Sequence, residues 1–88
     1  PAGSRRTLRG DSRSGMSYLP RISGRQCVKA LSKAGFYVKR REGSHIILRR
    51  DEPFAQVVVP DHDELAKGLL RAIIRQTGLS VDEFLKLL

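Results

Sequence analysis

The sequence predicts an α+β domain with the order α-β-β-β-α and a short C-terminal helix. Three observations carry this. Apolar residues recur at helical spacing in 23–34 and again in 65–76. Between them, three short runs of aromatic and β-branched residues are separated by turns containing Gly or Pro. The chain has 88 residues, which suits one small domain with a thin core. Its hydrophobic share of 40% favours a folded chain over a disordered one.

The first helix fits Ser23 to Ala34. Ser23 is a suitable N-cap, and Gly35 a suitable stop. Cys27, Val28, Leu31 and Ala34 make its apolar face. Arg25, Lys29 and Lys33 step by four along an exposed ridge. The first strand fits 36–41, the second 44–49 and the third 54–59, the last closed by Pro60. Glu42-Gly43 and Arg50-Asp51-Glu52-Pro53 are the turns, and links this short imply an antiparallel meander. The second helix fits Leu65 to Gln76, with Leu65, Leu69, Ala72, Ile73 and Gln76 along one side. Thr77-Gly78 ends it. Ser80-Val81-Asp82-Glu83 is a capping box for the final helix, whose inner side takes Phe84, Leu87 and Leu88. The product is a three-stranded antiparallel sheet with helices on one face and the other face open.

Residues 1–15 have no hydrophobic periodicity and are rich in Gly, Ser and Arg. They read as an added or upstream flexible basic tail, with a basic arm that touches nucleic acid as the rival reading. Met16 reads as a natural start, so the domain is expected to span 16–88.

Net charge is +8, which points to an anionic partner: nucleic acid, an acidic protein or a membrane surface. The charge is uneven. Residues 21–50 hold nine Lys or Arg against one Glu, whereas 51–88 hold four against seven Asp or Glu. The centre of the chain therefore carries the field. Cys27 is the only cysteine, so no internal disulfide is possible. No apolar run is long enough to span a membrane or to form a signal peptide, and a cytoplasmic protein is expected. There is no phosphate loop, nucleophile elbow or set of nuclease carboxylates, and no cofactor or metal is expected.

Two histidines are present, His45 and His62. Alternation places His45, Ile47 and Arg49 on one side of the second strand, and Ser44, Ile46 and Leu48 on the other. The first set is the more polar, so the open face is expected to carry His45. A histidine side chain titrates near neutrality and can both take and give a proton. RNA supplies its own nucleophile, the 2′-hydroxyl, and its attack on the adjacent phosphate needs a base, charge stabilisation and an acid. One histidine with Lys or Arg donors meets that need without metal. The plain alternative is a polar strand residue, and spacing does not decide between them. Gly43 permits a tight turn and close approach of a phosphate, and Ser44 can donate to a phosphate oxygen; an ordinary hairpin has the same residues. If the loop takes in Ser44, Arg41 or Lys39 stands beside His45. Arg25, Lys29 and Lys33 on the helix ridge and Lys39, Arg40, Arg41, Arg49 and Arg50 on the strands are phosphate-binding candidates or a solvated surface. Tyr37 suits base stacking and core packing equally. Pro60-Asp61-His62-Asp63-Glu64 fits no strong zinc spacing and reads as the lead-in to a helix, whose N-terminus its acids would suit.

Five segments in order resemble the HicA toxin family. They are Leu31-Ser32-Lys33-Ala34-Gly35-Phe36, Gly43-Ser44-His45, Val59-Pro60-Asp61-His62, the run from Lys67 to Gly78, and Phe84-Leu85-Lys86-Leu87-Leu88. Each alone is weak; the order and spacing together are specific, and they cover nearly all of Tyr18 to Leu88. Leu69 departs from the pattern, which often has Thr there. The resemblance implies a double-stranded-RNA-binding-like fold. It implies a toxin of a type II toxin–antitoxin system, a ribosome-independent mRNA endoribonuclease that arrests growth. His45 would be its catalytic residue. A HicB-type antitoxin would cover the active site and often repress the shared operon. The alternative is an RNA-binding module of the same fold with no chemistry.

Overall fold

The computed structural model describes residues 19–88. The expected tail, 1–15, and Met16 lie outside that range. The elements are α1 (Gly24–Lys33), β1 (Tyr37–Glu42), β2 (His45–Asp51), β3 (Phe54–Pro60), α2 (Lys67–Thr77) and α3 (Val81–Leu85). Every expected element is present in the expected order. The sheet is an antiparallel meander, β1-β2-β3.

The N-terminus of α1 is closed by a reciprocal cap. The Gln26 N–H donates to Ser23 Oγ at 3.1 Å, and the Ser23 N–H donates to Gln26 Oε1 at 2.8 Å. Its first residue, Gly24, lies against the end of β3. A Cβ there would stand 2.0 Å from the Pro60 carbonyl oxygen, so only glycine fits. The Gly24 N–H donates to the His62 carbonyl at 2.9 Å. The helix buries Gly24, Cys27, Ala30 and Leu31, while Val28 and Ala34, expected on the same face, are only half-buried. At the far end Gly35 takes a positive φ of 96° and turns the chain into the sheet.

The second helix is shorter at its start than expected, and its face is rotated. It buries Leu70, Ile73, Ile74 and Thr77. Leu69, Ala72 and Gln76 are exposed. Leu65 is buried but precedes the helix, its N–H donating to the Ile22 carbonyl at 2.8 Å. Counting Leu65 as a helical residue set the phase wrongly; with Leu70 as the first inward residue, the i, i+3, i+4, i+7 pattern is regular. The acidic lead-in also caps nothing: Ala66 is the N-cap, without a side-chain bond, and no acid lies in the first turn. In α3 the expected cap forms, with Ser80 and Glu83 exchanging bonds of 3.0 and 2.8 Å. Phe84 is fully buried, Leu87 is half-buried and Leu88, beyond the helix end, is exposed.

The helices cover one sheet face. Ile46 and Leu48 of β2 and Val57 and Val59 of β3 pack with Leu31, Leu70, Ile74 and Phe84 in a single core. Cys27 lies within it, and burial pushes its thiol up to about 12, so it is an inert filler. Arg50 also faces the helices. Its guanidinium lies 4.7 Å from the centre of the Phe36 ring, and it donates to the carbonyls of Thr77 and Pro53. Among the described residues, no helix is long and apolar enough to cross a membrane.

Candidate functional site

The open sheet face is fixed by register. His45 pairs with Glu42 of β1 and Pro60 of β3; Ile47 pairs with Arg40 and Val58; Arg49 pairs with Tyr37 and Gln56. Residues directly opposite share a face. Since Ile46 and Leu48 enter the core, His45, Ile47 and Arg49 face away from the helices, as alternation predicts. His45 is exposed. Ile47 is only 4% exposed although it is on this side and outside the core cluster. Arg40 and Val58 flank it directly across the strands.

The β1–β2 turn consists of Gly43 and Ser44. Gly43 has a φ of 60° and nothing within 4 Å of where a side chain would begin, so the turn is open to a ligand. Because the loop takes in both residues, Glu42 stands opposite His45, not Lys39 or Arg41. Its carboxylate accepts from Arg40 Nε at 2.7 Å. Lys39 has no cross-strand partner, because the register shifts between Val38 and Arg40.

Arg41 is opposite Ile46, so it turns to the helix side at the same end of the sheet. There it meets Asp61. The Asp61 carboxylate accepts from Arg41 Nη2 on one oxygen and from Arg25 Nε, at 3.3 Å, on the other. The bonds from Arg41 and then Arg25 hold its carboxyl below the usual range, against a smaller opposing effect of burial. The Asp61 N–H donates to the Ser44 carbonyl at 2.6 Å. One residue thus ties β1, the catalytic-candidate turn, the end of β3 and the start of α1. Sequence reasoning missed this node. Arg25 and Arg41 are 36 and 20 positions from Asp61, and no local spacing joins them.

Of the other candidates, Lys33 is at the opposite end of α1, about 12 Å along the helix from Arg25. It donates to the Leu87 carbonyl at 3.0 Å. His62 contributes its backbone carbonyl, and its side chain is exposed. Tyr37 is partly exposed, and its hydroxyl donates to Asp51 at 3.0 Å. Loss of hydration and then that bond hold its phenol above the usual value. Arg49 also donates to Asp51 and lies 5.1 Å from the Phe54 ring centre. The structure therefore gathers Gly43, Ser44, His45 and Arg41 at one end of the sheet, leaves Lys39 on the edge strand nearby, and places Lys33 elsewhere.

A groove of about 450 Å³ runs between α1 and the C-terminal residues, lined by Ile22, Lys29, Lys33 and Leu87 among others, and contains no sheet residue. Among the described residues, no three His, Cys, Asp or Glu side chains gather as a metal site.

No curated protein matches the chain. A family model described as "HicA toxin of bacterial toxin-antitoxin" matches residues 24–79, from the first residue of α1 to just past α2.

Proposed function

The chain belongs to the HicA family of bacterial toxin–antitoxin toxins, and from that premise we propose that it is a ribosome-independent mRNA endoribonuclease with His45 as its single catalytic histidine. The observation that carries this reading is the position of His45. It is exposed on the uncovered sheet face, directly after an open glycine turn, in the most basic part of the chain. His45 takes the proton of a 2′-hydroxyl as that oxygen attacks the adjacent phosphorus. The O2′–P bond forms, the P–O5′ bond breaks, and the proton passes to the departing 5′ oxygen. The products are a 2′,3′-cyclic phosphate and a 5′-hydroxyl. Ser44 and the Gly43 turn approach the phosphate, Lys39 supplies positive charge to it from the edge strand, Arg41 acts from the helix side of the same sheet end, and Lys33 adds only to the general field. The reaction needs no metal. A HicB-type antitoxin silences the enzyme by covering His45 on the open face.

The test uses purified chain on an RNA and on the same sequence with one 2′-deoxy nucleotide at the cleaved position. Cleavage of the RNA, undiminished by chelator, and its loss at the deoxy position are expected. Cleavage of the deoxy substrate at the same bond would overturn the mechanism, and RNA binding without any cleavage would favour the non-catalytic module.

A further inference from the structure

We infer that Arg25 and Arg41, mounted together on Asp61, form a seat for an RNA phosphate next to the one being cleaved. This rests on the ribonuclease reading above and adds a binding site to it. The two guanidiniums share one carboxylate, so the unit keeps one net positive charge. The carboxylate is the covered part: the Asp61 side chain is 14% exposed, whereas those of Arg41 and Arg25 are 50% and 80% exposed. Arg25 spends its Nε on Asp61 and Arg41 spends one Nη. A guanidinium has five N–H donors, so each retains donors for an anion. Asp61 holds long, otherwise flexible side chains in place, which lowers the entropy lost on binding.

The location supports a phosphate of the same strand. Arg41 is next to Glu42, the partner of His45, and Asp61 is next to Pro60, its other partner. The Asp61 N–H is bonded to the carbonyl of Ser44, the residue before His45. His45 faces the open side and the arginine pair the helix side of the same sheet end, which the Gly43–Ser44 turn closes. Gly43 presents no side chain there, so a backbone leaving His45 can cross the turn and meet the pair.

The test measures binding of an unstructured RNA oligonucleotide over a salt series in the His45→Ala background, where cleavage cannot interfere. Arg25→Ala and Arg41→Ala are each expected to weaken binding several-fold. Each should also reduce the slope of log affinity against log salt by about 0.7, one phosphate contact. Arg71→Ala, an equal charge loss at an exposed site on α2, should leave the slope unchanged. Arg25 is so exposed that its removal does not threaten the fold, which keeps the test interpretable. If both arginine variants behave like Arg71→Ala, the seat is overturned while the ribonuclease reading stands. If the His45→Ala chain binds no RNA even at low salt, both are overturned.

Discussion

The two faces of one strand behave as if they belonged to different proteins. On β2, Ile46 and Leu48 are buried against the helices; His45 is open to solvent one position away. The covered face is apolar at its centre and set by packing, with Arg41 and Arg50 only at its ends. The open face pairs its charges internally, Arg40 with Glu42 and Arg49 with Asp51, and leaves Phe54 and Val58 exposed. A residue on the first face cannot change without altering stability. An exposed residue on the second, such as His45, can, which frees it for chemistry.

The sharpest break of that contrast is a large-to-small change in the core. Leu48→Ala and Phe84→Ala should each cost about 2–5 kcal/mol, read as a lower urea midpoint with little change in slope. In a domain this small that is a large part of the whole. Gly24→Ala should follow, at about 1–3 kcal/mol, because its Cβ would displace the Pro60 carbonyl. Ser23→Ala should cost about 1 kcal/mol through loss of the helix cap. On the open face, Phe54→Ala should change stability by no more than about 1 kcal/mol, since the ring is exposed and its contact with the Arg49 guanidinium lies at the surface.

Asp61 stands between the two faces and gives the contrast a pH dependence. Its carboxyl is held below the usual range in the folded state, so its ion pairs stabilise the fold above the unfolded value of ~3.9. That stabilisation is lost as pH falls through the lower, folded value. Acid titration of unfolding should therefore be steeper in wild type than in Asp61→Asn; equal slopes would remove Asp61 from its place in the network.

The division between faces was legible from alternation in 44–49, and the caps from Ser23 and from Ser80 with Glu83. What the sequence hid was long-range. The phase of α2 depended on whether Leu65 lay inside the helix, which its bond to Ile22 decides. The turn includes Ser44, but a two-residue turn sets Glu42 opposite His45 in place of the expected Lys39 or Arg41; that register is not written in local sequence. Asp61 reads in sequence as one acid in a helix lead-in; only the closure of α1 onto the end of β3 turns it into a partner for two arginines. Ile47 reads as an open-face residue by alternation, yet it is buried between its partners on β1 and β3.

The central claim is that His45 performs chemistry and supports no structure. Its most direct test is RNA cleavage by wild type and by His45→Ala, with thermal unfolding of both chains followed in parallel. The account predicts loss of cleavage at an unchanged melting temperature; full cleavage by a folded His45→Ala chain would contradict it.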